Sequence, residues 1–400
     1  MQKFTPKQYL QIDIANLYGK DKLTWTERLA WFEENQDKLL DLAPTADAPA
    51  QYYAAVKNYF RVCDGGVNHH PIALDATSSG TQILACLTCD PLAAKYCNII
   101  NVGKRVDAYT DLFNLFKELV PEAEKSTLSV TRDEVKDAVM VSLYGSTKKP
   151  QELFGKYINE FYTLMERECP LIWGLNRYLS SSWNPKVTDY GWVMPDNFHV
   201  HIKVHNLVNK DFMFNGMVHT VQVKEHAPTS YGKAYSANVA HSIDSLIVRE
   251  ITALAMHNPK RIKEVRAILE GIEVKTEIPN ADEMVNTLVR LYRQTGFMSA
   301  RILEYITNSN VKTVPQNQLK ELLALVPAKP FQILCIHDSF KVLPNYGNDL
   351  RELYVAQLAK IAKSTLLQHI LNSLPIPRVQ VMKGDPAMWR KILDAEYALS

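Results

Sequence analysis

Two aspartates stand where this sequence could do metal-assisted chemistry. Asp75 closes the apolar run Pro71-Ile-Ala-Leu and opens Ala76-Thr-Ser-Ser-Gly80, while Asp338 lies in His337-Asp338-Ser339 between the apolar runs 331–336 and 340–343. Those patterns predict a strand releasing into a turn at Asp75, and two strands around a tight turn that presents Asp338. Phosphoryl transfer to a growing chain uses two magnesium ions, one activating the attacking hydroxyl and one holding the triphosphate. Two carboxylates fixed on different strands suffice to hold them. Taken singly, each aspartate reads more simply as a turn former.

The segment between them changes that weighing. Arg132 and Lys136 are four residues apart, hence about 40° apart around a helix, with Tyr144 about 120° from the arginine, so all three can face one cleft. The rise from Arg132 to Tyr144 is about 18 Å, which lets the cations hold phosphates while the ring sits by the sugar and base. The plainer alternative is a solvated face on which Arg132, Lys136 and Asp133 are surface ions. Thr131-x-x-Glu134 is a capping box and Gly145 a C-terminal glycine, so this helix is bracketed at both ends.

The elements around these residues are less sharply drawn. Thr24-x-x-Glu27 opens a second predicted helix over 24–42, amphipathic through Leu29, Trp31, Phe32, Leu39 and Leu40. Residues 187–240, rich in Val, His, Tyr and Asn with turn-like Pro195-Asp-Asn197 and Asn215-Gly216, read as hairpins and loops. Residues 242–308 and 349–373 read as largely helical. No repeat or flexible linker interrupts the chain, so lobes must be joined by chain crossings.

Composition sets the outer limits. The 400 residues carry 45 Lys and Arg against 43 Asp and Glu, so any basic groove must be local rather than global. The six cysteines lack paired CxxC spacing and are too sparse for a disulfide scaffold, and Cys86 and Cys89 sit in an apolar stretch where buried thiols are ordinary. A reduced intracellular setting follows. With no signal-peptide pattern after Met1 and no run of ~18–20 apolar residues, the expectation is a cytoplasmic protein with no membrane role.

With these residues in view, the sequence resembles the single-subunit DNA-dependent RNA polymerases of phages and mitochondria. Asp75-Ala-Thr-Ser-Ser-Gly80-Thr-Gln82 is similar to that family's first motif, Arg132-x3-Lys136-x7-Tyr144-Gly145 to its second and Ile336-His337-Asp338-Ser339-Phe340 to its third, in the right order. Lys22 within Gly19-Lys-Asp-Lys22, His241-Ser-Ile-Asp244 and the terminal segment 392–400 add to the likeness. The resemblance covers nearly the whole chain, but only the C-terminal half of a full-length member.

It implies an α+β, right-hand polymerase fold: palm over 1–103 and again over 242–400 with a C-terminal foot, and fingers over 104–241 containing a specificity-hairpin-like region near 204–223. It implies that Asp75, the backbone carbonyl of Ala76 and Asp338 bind two Mg2+ ions, that Lys22, Arg132 and Lys136 contact the triphosphate, and that Tyr144 senses the ribose 2′-hydroxyl. His241 would approach the sugar or minor-groove side, and His337 would support the catalytic turn. Read alone, either histidine is more simply a satisfied structural residue. DNA template, nascent RNA and nucleoside triphosphates are the implied partners. No promoter contacts carry over, because residues 204–223 match the promoter-reading hairpin poorly, and Ser146-Thr-Lys-Lys-Pro150 lacks the aromatic residue that the family often places there.

Related DNA polymerases share the Arg-Lys-Tyr helix, but they typically carry a glutamate five residues after the first aspartate and end the third motif in His-Asp-Glu. Gly80 leaves room for a 2′-hydroxyl, and Ser339 replaces that glutamate, so RNA synthesis is favoured over a DNA polymerase fragment. A metal phosphohydrolase built on His337-Asp338 would need further histidine ligands that its strand-like flanks do not offer. A non-catalytic polymerase-like subunit would be expected to lose a carboxylate or cation, and none is lost. No Gly-Arg dipeptide occurs here, although the family carries an Asp-x-x-Gly-Arg motif ahead of the segment matching Tyr9 to Asp41. The expectation is a second polypeptide supplying the thumb, the remaining palm and that motif. Such an arrangement resembles the two-subunit RNA polymerase of enquatrovirus-like phages and would work in the cytoplasm of an infected bacterium.

Overall fold

Apolar residues at helical spacing run through most of the chain, and helices carry most of its regular structure. The computed structural model describes residues 1–122, 125, 129–232 and 234–400. Helices α1 (Pro6–Ala15), α2 (Trp25–Asn35) and α3 (Pro49–Cys63) come first, and strand β1 (Ile72–Asp75) then leads into α4 (Ser79–Thr88) and α5 (Pro91–Tyr96). Next come α6 (Ala108–Leu119), α7 (Arg132–Leu143), α8 (Lys148–Phe154), α9 (Ile158–Glu168) and α10 (Pro170–Ser181). Two hairpins follow, β2 (Asp189–Val193) with β3 (His199–Lys203) and β4 (His205–Phe214) with β5 (Met217–His226). After them run α11 (Ala234–Ala255), α12 (Pro259–Leu269), α13 (Ala281–Thr295), α14 (Gln316–Leu325), β6 (Leu334–Ile336), β7 (Ser339–Val342), α15 (Gly347–Lys363), α16 (Leu366–Ser373) and α17 (Met388–Ile392).

The sheet that matters has the order β1-β7-β6, antiparallel throughout, with Ile72 opposite Val342 and Asp75 opposite Ser339. Ile72, Leu74, Phe340 and Val342 are buried, which pins the register, since a slip by one residue would turn them to solvent. Helix α4 is buried at every position from Thr81 to Thr88 and packs against α11 and α15. Gln82 ties this core together. Its Nε2 donates to the carbonyl oxygens of Ala398 (2.8 Å) and Cys97 (3.0 Å), and its Oε1 accepts from the Tyr354 hydroxyl at 2.6 Å. In the α6–α10 region Phe116, Phe154 and Phe161 pack ring to ring within the common hydrophobic core, with ring centroids 4.7 and 4.4 Å apart in sequence.

Several element boundaries differ from the sequence reading. The helix expected over 24–42 ends at Asn35 and tightens into a 3-10 turn at 36–38, leaving Leu40 exposed, so the apolar spacing there marks two packed pieces. The loop region expected to reach residue 240 stops earlier, because α11 begins at Ala234; the buried Tyr235, Val239 and Ala240 give that first stretch its helical face. The strand expected over 331–336 is only Leu334–Ile336, since the Phe331 amide bonds the Ala255 carbonyl at 2.8 Å and holds the chain off the sheet. Residues 349–373 break at Ser364, whose extended backbone separates α15 from α16.

Candidate active site

Strand pairing brings the two aspartates together. β6 and β7 are joined by the two-residue loop His337-Asp338, in which His337 takes a left-handed φ of 55°. Because Asp75 pairs with Ser339, the residue next to Asp338, both carboxylates stand at one end of the sheet, and the Ala76 amide bonds the Asp338 carbonyl at 3.1 Å. Crowding by protein pushes the Asp75 carboxyl above its ordinary range; the Ser339 hydrogen bond opposes this and the Asp338 charge adds to it. Ala76 also bridges to Leu399, but the bonds of that bridge run from Ser400 to Asp75 and from Thr77 to Ala398, so it leaves the Ala76 carbonyl unused.

Among the described residues no three His, Cys, Asp or Glu side chains converge as a metal cage. What the site offers is two mutually repelling carboxylates beside a backbone carbonyl. That donor set suits Mg2+, which typically takes one or two carboxylates and completes its octahedron with water and substrate phosphates.

Helix α7 supplies the opposite wall. Thr131 caps it as expected, with the Glu134 side chain returning to the Thr131 amide at 2.8 Å, and Tyr144 terminates it just before Gly145, whose φ is 87°. Arg132 is gripped by Asp107, with Nη2 at 2.6 and 2.8 Å from its two carboxylate oxygens and Nε at 2.9 Å from the Thr110 hydroxyl. Burial pushes the Asp107 carboxyl up, but the bonds from Arg132 and Thr110 outweigh it and hold it below the usual carboxylate range. Among the described residues Lys136 forms no ion pair, and it lies 5.8 Å from the Tyr109 ring. Lys22 contacts Asp21 at 2.5 Å, beyond the turn at Gly19, where φ is 100° and a Cβ would collide with Asp47.

One cleft of about 600 Å3 is lined by Lys22, Asp75, Ala76, Gly80, Arg132, Lys136, Tyr144 and Asp338. Inside it Gly80 faces Tyr144: a Cβ on Gly80 would overlap the phenol oxygen and stand 3.0 Å from Cζ. The Tyr144 ring also lies 5.3 Å from the His241 ring on α11. His241 and His337 are exposed at the margin, and neither lines the cleft itself. Burial, then the charges of Asp244 and Asp338, raise the Tyr144 phenol above its ordinary range, so it is a neutral donor at physiological pH.

Three contributors were not legible as site residues. Asp107 and Tyr109 line the cleft and hold or face Arg132 and Lys136, yet in sequence Asp107 is only a helix N-cap. Asp244 was visible within the His241 motif without a role; burial and the nearby Asp338 raise its carboxyl, while His241 and His337 act the other way. No local pattern announces such long-range partners.

A helix-borne cation pair and tyrosine face paired carboxylates at a strand end, an arrangement chemically suited to a phosphorylated ligand and a divalent metal. Residues 5–182 match the family model of DNA-dependent RNA polymerase. The chain is 30% identical to a probable DNA-directed RNA polymerase of Neurospora crassa over 98% of its own length and 47% of the relative's. It is 29% identical to the mitochondrial DNA-directed RNA polymerase 1 of Arabidopsis thaliana over 35% of this chain and 18% of that one, and 28% identical to a mitochondrial DNA-directed RNA polymerase of Schizosaccharomyces pombe over 35% and 14%. By these matches the chain is similar to DNA-directed RNA polymerases. It spans about half the length, 47%, of the Neurospora relative.

Proposed function

We propose that this chain carries the nucleotidyl-transfer centre of a DNA-directed RNA polymerase. The observation that carries the reading is the convergence of Asp75, Asp338, Arg132, Lys136, Lys22 and Tyr144 on one cleft, from segments up to 316 positions apart, in a chain related to such enzymes. In this reading 1–103 and 242–400 form the palm and 104–241 the fingers, with β4–β5 standing at the place of a specificity hairpin.

Asp75, Asp338 and the Ala76 carbonyl would hold two Mg2+ ions, which supply charge neutralisation at the attacking hydroxyl and at the triphosphate. Lys22, Arg132 and Lys136 bind the phosphates, and Asp107 positions Arg132 by fixing its guanidinium. The Tyr144 hydroxyl, kept protonated and seated over Gly80, donates toward the ribose 2′-hydroxyl. Any side chain at position 80 would displace that hydroxyl, so Gly80 serves sugar recognition through Tyr144. His241 steadies the Tyr144 ring from the sugar side, and His337 sets the loop that presents Asp338.

The Asp-x-x-Gly-Arg motif is absent from these 400 residues, so whatever supplies it lies outside them. In the finer reading it comes with the thumb from a second polypeptide, in a split enzyme of phage type working in the host cytoplasm. Among the described residues no helix is long and apolar enough to cross a membrane.

The test is extension of an RNA primer on a DNA template by the complex purified through this chain, given ribo- or deoxynucleotides. Ribonucleotides should be added and deoxynucleotides rejected, with rejection relaxed about tenfold or more in Tyr144→Phe. Unaltered sugar preference in that variant removes Tyr144 from its role, and preference for deoxynucleotides by the wild type overturns the RNA assignment. Recovery of the active enzyme without a second polypeptide refutes the split arrangement.

A further inference from the structure

We propose that Arg105 is a phosphate-binding residue of this cleft, receiving the triphosphate tail of the nucleotide beside Lys22 and Arg132. The inference rests on the polymerase reading and adds to it a contact that no motif in the sequence announces. Arg105 lies in the connection between α5 and α6 and lines the same cleft as Asp21, Lys22, Asp107 and Arg132.

Two of the three cations already assigned to the phosphates are occupied. Lys22 is paired with Asp21 at 2.5 Å and Arg132 with Asp107 at 2.6 Å. Arg105 is different: its Nε is buried without a hydrogen-bond partner, and it forms no ion pair among the described residues. Burial lowers its guanidinium pKa, and the charges of Asp21 and Asp107 act in the opposite sense, so both carboxylates are near enough to be felt while bonding other cations.

A second guanidinium stands behind it. Arg28 is fully buried on α2, with Nε donating to the Leu23 carbonyl at 2.9 Å, Nη2 donating to the Asp21 carbonyl at 2.7 Å, and the Trp25 ring 4.5 Å away. Its Nη1 is also buried with no partner, and after burial the largest influence on it is repulsion from Arg105. Two neighbouring guanidinium groups with orphaned donors form an arrangement that costs free energy unless an anion completes it. A guanidinium fork suits phosphate oxygens, which it can bind in bidentate fashion. The nucleoside end of the ligand is held at Tyr144, so the anion that reaches Arg105 is the far end of a nucleoside triphosphate. In that reading a monophosphate has no β- or γ-phosphate to offer Arg105.

Calorimetric binding of ATP and AMP in Mg2+ to the chain, in wild type, Arg105→Gln and Arg105→Lys, decides the matter, with thermal unfolding as the control on folding. Arg105→Gln should weaken ATP about tenfold and AMP less than about twofold. Arg105→Lys, which keeps the charge and loses the fork, should weaken ATP about threefold, and it carries the test by itself if the glutamine variant does not fold. An unchanged ratio of ATP to AMP affinity in the folded variants overturns the proposal and leaves the polymerase reading standing. A wild-type chain that binds neither nucleotide overturns both.

Discussion

Asp75 shows how a single residue can be placed for chemistry at the expense of stability. Its carboxyl is raised above the ordinary value of 3.8, chiefly by burial and further by Asp338. The folded state therefore holds this proton more tightly than the unfolded state does. Stability associated with Asp75 is greatest below the unfolded value and declines as pH rises from there through the folded value, so at neutral pH the ionised group destabilises the fold. Asp75→Asn should raise the melting temperature at pH 7 by a few degrees, with the gain shrinking toward pH 4, while Mg2+ should stabilise the wild type and not the variant. A variant that melts below the wild type at pH 7 would show that the carboxylate makes a structural contact of its own. Asp244 carries the same sign, being raised by burial and by Asp338.

At the scale of elements, what was legible followed from local chemistry. The capping box at Thr131 and the glycine at 145 delimited α7 to within a residue, because both ends are set by bonds between neighbours in sequence. The aspartate-bearing turn at His337-Asp338 was legible for the same reason. The Asp107 grip on Arg132 was not, since it spans 25 positions and its local signature is that of an N-cap. The early start of α11 was hidden by the polar and aromatic residues of its own first turns, such as the buried Tyr235 and Ser236, whose burial is decided by tertiary packing. Thr131→Ala removes the cap that begins α7 and should cost about 1 kcal/mol of stability. Because Arg132 is the first helical residue, fraying there should also raise the KM for nucleotide more than it lowers kcat, measured in primer extension. Equal losses in both would indicate that α7 matters only to folding.

At the scale of the whole molecule, the cleft is assembled by closing the chain on itself. Segment 392–400 packs beside Asp75 and Ala76, and Arg351, 1% exposed, ties Gln2 to Glu396 through their carbonyl oxygens at 2.8 and 2.9 Å. The near-balance of charge, net +2, means that any attraction for an anionic ligand must come from local groups. The central claim is that the two carboxylates are the transfer centre of a templated RNA polymerase, and one measurement addresses it directly. It is single-nucleotide addition to an RNA primer annealed to DNA, by the complex purified through this chain, comparing wild type with Asp75→Asn and Asp338→Asn at matched folding. The account predicts addition of the one ribonucleotide complementary to the template base by the wild type, and loss of addition in each variant by a factor of about a thousand or more. Near-normal addition by either variant, or addition that ignores the template base, would contradict it.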